Sequence, residues 1–204
     1  MLDYDARNLT LVEEYIPGVD LAKWVDEKGF SQIAEQARAS IWIDIGGALE
    51  HLHMCGILHN DVKPENIILT QGSHRSVLID FGIASGVCSA RGTGAGTPCY
   101  IPPEFLEGRR AEPSDVWAFG VVMLFVFGKI PLPDEGWPIV QVLRKNSAAR
   151  RKMEQWLSRI DRVRESLEAP LQLLFEMLKQ DNDRIKASDL VRRLKQCQAL
   201  TQTS

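Results

Sequence analysis

The residues best suited to chemistry sit in one short run, His59-Asn60-Asp61-Val62-Lys63-Pro64-Glu65-Asn66. The carboxylate of Asp61 can orient an attacking hydroxyl and accept its proton, and Lys63 can set a point charge on a transferring phosphate. Asn66 can offer a carbonyl oxygen to a hard divalent cation, which prefers oxygen ligands. A second carboxylate for that cation comes in Asp80-Phe81-Gly82, directly after the apolar run Val77-Leu78-Ile79. An acid, a cation and two oxygen ligands are the parts that phosphoryl transfer uses.

Such residues must be held by regular structure on either side. Gly56-Ile57-Leu58 and Ile67-Ile68-Leu69 flank the loop and read as two short buried strands, and Val77-Leu78-Ile79 as a third that ends at Asp80. Before the loop, Ile33, Ala37, Ile41, Ile45, Ala48 and Leu52 recur at three and four residues, which predicts a helix over Ser31 to Cys55 with Gly56 as its stop. His51 and His53 fall on different faces of it and read as solvated or packing histidines rather than a metal pair. Leu9 to Tyr15 reads as a strand, Pro17-Gly18 as the turn that ends it, and Leu21 to Val25 as a short helix.

Val116 to Phe127 is the most apolar segment, about twelve residues against the roughly twenty that a membrane span needs, so it reads as a buried helix. Ser114 or Asp115 would cap it. Arg144 to Arg164 reads as a basic helix with a solvated face, and Leu167 to Lys179 and Ala187 to Cys197 as closing helices. Gly92, Gly94 and Gly96 follow no strand and open no helix, so they mark a flexible segment rather than a phosphate loop.

With 204 residues, 45% of them hydrophobic and 25% charged, the chain can bury one sizeable core. A net charge of −3 supplies no basic stripe, which argues against a nucleic-acid partner. Cys55, Cys88, Cys99 and Cys197 form no C-x-x-C pair and read as reduced thiols of an intracellular protein, cytoplasmic or nuclear. The N-terminus, Met1-Leu2-Asp3-Tyr4-Asp5, has neither the basic nor the apolar region of a signal peptide, and no membrane partner is expected.

H-x-D-x-x-x-x-N followed by D-F-G resembles the catalytic and metal-binding parts of the eukaryotic-type serine/threonine protein kinases. The resemblance continues in Gly96-Thr97-Pro98-Cys99-Tyr100-Ile101-Pro102-Pro103-Glu104, similar to G-T-x-x-Y-x-A-P-E, in Ser114 to Gly120, and in Asp181 to Ile185. It implies a mainly α fold with a few short strands (α+β), like the C-terminal lobe of a kinase. It also implies an enzyme that passes the γ-phosphoryl group of ATP, with Mg²⁺, to Ser or Thr hydroxyls of a protein. Asp61 and Lys63 would be catalytic, and Asn66 and Asp80 would hold the metal. Glu14 and Ile16 in the hinge, Asp20 near the ribose, and Lys63, Asn66 and Asp80 would bind the nucleotide. His59, Phe81, Gly82, Thr97, Glu104, Asp115 and Arg184 would be structural supports, with Arg184 clamping Glu104 and Asp115 holding the catalytic loop from below.

The chain departs from that family in three places. Glu13 stands at the gatekeeper position, usually apolar or Thr, where a carboxylate would narrow the adenine pocket. Asn60 stands where many kinases carry the Arg that reads a phosphate on the activation loop. Only residues 1–8 precede the hinge strand, so residues 1–204 are expected to be the hinge and C-lobe without the N-lobe's glycine loop, Lys and Glu. Each missing electrostatic donor typically costs about 10²–10³ in rate, so the chain by itself is expected to be a poor kinase unless a partner covers the open cleft. The alternatives are an inactive kinase-like binding module, favoured by Glu13 and Asn60, and a small-molecule phosphotransferase of the aminoglycoside-kinase type, disfavoured by the P-P-E segment, Asp115 and Arg184.

Overall fold

The computed structural model describes residues 3–5, 7, 10–72, 75–87 and 95–202. Met1, Leu2, Leu9, Cys88, Gly92 and Gly94, which the sequence reading uses, lie outside them. Helix dominates, with short strands gathered around the loop, as the mainly α reading anticipates. In chain order, β1 (Asp3–Asp5) and β2 (Thr10–Val12) form an antiparallel hairpin. β3 (Gly18–Asp20), β5 (Ile67–Thr70) and β6 (Ser76–Leu78) make an antiparallel sheet with β5 central. β4 (Ile57–Leu58) pairs with β7 (Ser85–Gly86).

Several boundaries differ from the periodicity. The strand expected to reach Tyr15 stops at Val12, and residues 13–17 are irregular. Pro17-Gly18 is not a turn: Gly18 opens β3, because a Cβ there would run into the Leu69 carbonyl oxygen and the Ile68 side chain on β5. Close strand approach, rather than turn chemistry, requires that glycine. Helix after Asp20 is one 3₁₀ turn over Leu21–Lys23. α1 (Glu35–Met54) starts later than Ser31, because Asp26 Oδ1 accepts from the Lys28 and Phe30 amides at 2.9 and 2.8 Å, and Gln32 N donates to Trp24 O at 2.8 Å. That side-chain turn competes with helix until Ala34.

α2 (Glu112–Val126) is the core, buried at every residue from Ser114 to Val126. Ala111 precedes it as the cap residue, so Asp115 lies inside the first turns rather than capping, and Ser114 Oγ accepts from Ala111 N at 3.2 Å. α1 packs against α2, α5 (Gln172–Met177) and α2 pack together, and α6 (Ala187–Gln202) lies along α1. The expected Leu167–Lys179 helix is thus only its central part. After α3 (Ile139–Val142), α4 (Ala148–Glu165) has the solvated basic face expected of it, with Arg151, Lys152 and Arg162 exposed, and a buried face besides. Its arginines flank a stripe of Ala149, Met153, Trp156, Leu157 and Ile160 that is buried in the core. Among the described residues, no helix is long and apolar enough to cross a membrane, and Cys55, Cys99 and Cys197 form no disulfide.

One buried ion pair ties the far end of the chain to the centre. Arg184 donates from Nη1 to Glu104 Oε1 at 2.7 Å and from Nη2 to Oε2 at 3.0 Å, with both side chains withdrawn from solvent. Its remaining donors reach Lys179 O at 2.9 Å and Pro113 O at 2.8 Å, and the guanidinium lies 5.1 Å from the Trp117 ring centroid. Full satisfaction of the fork is what makes burying it tolerable. Arg184→Met should therefore lower the unfolding free energy by about 3–5 kcal/mol, because Glu104 is left as an uncompensated buried charge. Urea unfolding measures this, and a loss below about 1 kcal/mol would show that the pair is not a clamp.

Candidate active site

β4 feeds the polar loop and β5 carries the chain away, so both loop ends are fixed by buried strands. Below the loop sits the carboxylate of Asp115, 2% exposed, on α2. It accepts from His59 N through Oδ2 and from Asn60 N through Oδ1, both at 2.9 Å. The His53 ring nitrogen lies 3.1 Å from Oδ2, so a residue that the sequence suggested only as packing or solvated is a third partner of this carboxylate. The sole signal in sequence was the face argument, which separates exposed His51 from half-buried His53. Asn60 has a left-handed backbone, φ 67°, which asparagine tolerates better than most residues. Its side chain turns towards Ile83 O and Ser85 Oγ, each at 3.0 Å, and so fastens the loop to β7.

Above this support, three side chains meet at Asp61. Its Oδ2 lies 2.7 Å from Lys63 Nζ and accepts from Asn66 Nδ2 at 3.1 Å, while Oδ1 accepts from the Thr97 hydroxyl at 2.7 Å. Lys63 Nζ also donates to Thr97 Oγ1 at 3.1 Å, and Asn66 Nδ2 to the Asp61 carbonyl at 2.9 Å. Thr97 comes from a separate segment, so it joins the loop to the region before Glu104. This lattice leaves the carboxylate one orientation, as a proton acceptor requires.

Asp80 arrives across the β5–β6 hairpin. Ile79 N donates to Asn66 O at 2.9 Å, which extends that ladder by one rung and sets Asp80 one residue beyond the rung at Asn66. Its backbone is left-handed, φ 64°, and its Oδ1 accepts from Gly82 N at 3.1 Å. His59 supports this turn twice, with Nε2 3.0 Å from Ile79 O and its ring edge-on to Phe81 at 5.0 Å. Asp80, Phe81 and Gly82 then line a cleft of about 440 Å³ together with Ile68, Ile79 and the stretch Glu13 to Ile16. Glu14 and Ile16, expected from the sequence as hinge residues, thus line the cleft, and so does Glu13. Asp20 is not among its lining residues and pairs with Lys23 at 2.9 Å.

Beyond Thr97 the chain is fixed by a buried thiol and a buried phenol. Burial, reinforced by the charge of Glu135, pushes Cys99 from its ordinary 9.0 up to about 12, and its Sγ donates to Glu135 O at 3.1 Å. Trp156 Nε1 donates to Cys99 O at 2.8 Å, so the buried stripe of α4 holds this segment. Burial likewise raises the Tyr100 phenol, which packs as a neutral group.

Comparison with known proteins places this geometry in context. Residues 3–194 match the protein kinase domain family. Over 193 residues the chain is 31% identical to the serine/threonine-protein kinase PkaB of Streptomyces coelicolor, covering 76% of this chain and 46% of that protein. It is 33% identical over 172 residues to CBL-interacting protein kinase 22 of Oryza sativa subsp. japonica, covering 78% and 38%. A third relative, serine/threonine-protein kinase C of Synechocystis, is 34% identical over 138 residues, covering 62% and 25%. The chain therefore spans less than half the length of each of these relatives.

A thiol raised from 9.0 to about 12 has its thiolate fraction at pH 8 cut about a thousandfold. In the native protein, iodoacetamide at pH 8 should label exposed Cys55 and spare Cys99 until the chain is unfolded. Because only the unfolded thiol ionises between those values, its contribution to stability is intact below pH 9.0 and is lost as pH rises towards about 12. Labelling of Cys99 at the rate of Cys55 would contradict the burial described.

Proposed function

The chain belongs to the protein kinase family, and from that premise we propose that it serves Mg²⁺-dependent transfer of the ATP γ-phosphoryl group to Ser or Thr hydroxyls of a protein substrate. The observation that carries this reading is the Asp61 carboxylate held by Lys63, Asn66 and Thr97 at 2.7 to 3.1 Å. In that role Asp61 Oδ accepts the proton of the substrate hydroxyl as its oxygen bonds to phosphorus and the bond to the departing diphosphate breaks. Lys63 places its charge beside the transferred group. Thr97 keeps Asp61 turned to the substrate, and its pairing with Lys63 fits a serine/threonine enzyme.

The protein offers a hard cation two oxygen donors, the carboxylate of Asp80 and the amide carbonyl of Asn66, whose nitrogen is already committed to Asp61. Among the described residues there is no cluster of three or more His, Cys, Asp or Glu ligands, which suits Mg²⁺ shared with substrate phosphates rather than an all-protein cage. When bound, the cation neutralises phosphate charge. Glu14 and Ile16 serve the base in the cleft, and Asp20 would have to leave Lys23 to reach a ribose. Residues 1–204 are read as hinge and C-lobe, and the protein as intracellular, cytoplasmic or nuclear, with ATP and an unidentified protein substrate as partners.

In the purified protein, Asp61→Asn should lower phosphoryl transfer by about 10²–10⁴ while leaving Mg²⁺-ATP binding in place. Asp80→Ala should abolish the thermal shift given by Mg²⁺-ATP. A shift that survives Asp80→Ala would remove the metal assignment. No shift and no transfer at millimolar Mg²⁺-ATP would replace this reading with a binding module, in line with the carboxylate of Glu13 in the cleft.

A further inference from the structure

Arg110, on the stretch entering α2, belongs to none of the roles above, yet it is packed against the active-site segment. Its Nη2 donates to the carbonyl of Ala95, and its guanidinium lies 5.2 Å from the Phe105 ring centroid. Among the described residues its buried Nε and Nη1 have no hydrogen-bond partner, although Arg110 lines a small cavity together with Asp61, Thr97 and Asp115. Burial holds this guanidinium below the ordinary arginine range, with the charges of Asp115 and Asp61 acting against that shift. Among the described residues no carboxylate pairs with it, so its burial is a cost that its contacts must offset.

Gly96 is shaped to this contact. Its backbone is left-handed, φ 113°, and a Cβ there would come within 2.8 Å of Arg110 Nη2 and 3.2 Å of the Asn60 carbonyl oxygen. The guanidinium, the glycine and the catalytic loop therefore interlock, one residue before the Thr97 hydroxyl that donates to Asp61. The loop's own candidate anchor, Asn60, faces the other way, onto Ile83 O and Ser85 Oγ.

We infer that Arg110 is a positioning residue: by gripping the Ala95 carbonyl and walling Gly96 against the catalytic loop, it sets Thr97 on Asp61. Arg110 touches neither reacting group, and it acts through Thr97. The kinetic half of the test rests on the phosphoryl-transfer reading, and the exchange half does not.

The purified protein and its Arg110→Met, Arg110→Lys, Thr97→Ala and Thr97→Ala/Arg110→Met variants are compared by amide hydrogen exchange and by phosphoryl transfer. In Arg110→Met, exchange of the 96–101 amides should rise at least about tenfold while that of α2 is unchanged. Transfer should fall about tenfold to a hundredfold in kcat with the KM for ATP unaltered, and Arg110→Lys, which keeps a donor for Ala95, should recover most of it. On the Thr97→Ala background the Arg110 substitution should add nothing. Unchanged exchange at 96–101, or effects of the two substitutions that multiply in full, overturns the inference. If Arg110→Met does not fold, the exchange comparison on Arg110→Gln decides in its place. If the wild-type protein transfers no phosphate, that failure belongs to the functional reading, and the exchange result still judges Arg110.

Discussion

The site depends first on one buried carboxylate. Asp115, on the most apolar helix of the chain, receives the amides of His59 and Asn60 and the ring nitrogen of His53. A charge in that position would be prohibitive without such donors, and equally the loop amides would be stranded without it. The mutual requirement fixes the loop's backbone, including the left-handed Asn60 that turns the chain up to Asp61. Everything chemical then follows at short range, because Lys63 and Asn66 are a few residues further along the same loop.

Around that centre, charges are handled in two ways. Structural ones are sealed: Glu104 and Arg184 satisfy each other in the interior. Those of the cleft stay close to solvent, with Asp80, Glu13 and Glu14 exposed. Three carboxylates in one cleft would repel a bare triphosphate, so on the proposed reading the nucleotide enters with its cation. Arg110 is intermediate between these groups: buried like a clamp, but donating its hydrogen bond to the backbone of the segment before Thr97.

How much could be read from sequence tracks where each residue's environment is written. The contacts of Asp61 with Lys63, Asn66 and Thr97, of Arg184 with Glu104, and of Asp115 with the loop backbone could be anticipated because each of these residues belongs to a motif of fixed spacing. The buried helix at Val116 was legible from apolarity alone. The stripe of α4 was hidden, because its arginines dominate the composition although Met153, Trp156 and Ile160 face the core. Gly18 looked like a turn because a neighbour 51 residues away in sequence, Leu69, supplies the reason for it. His53 and Arg110 were missed on the same ground, since their partners are set by tertiary packing and neither stands at a spacing with a mechanism attached.

The central claim is that the catalytic loop and the Asp80 turn face one metal–triphosphate group. Substituting Mn²⁺ for Mg²⁺ in the presence of ATP and recording paramagnetic broadening in the ¹H–¹⁵N NMR spectrum tests it at residue level. The account predicts that the side-chain amide of Asn66 and the backbone amides of Asp61, Asp80 and Gly82 broaden together and only when both Mn²⁺ and ATP are present. Broadening confined to one of the two loops, or centred elsewhere on the protein, would contradict it.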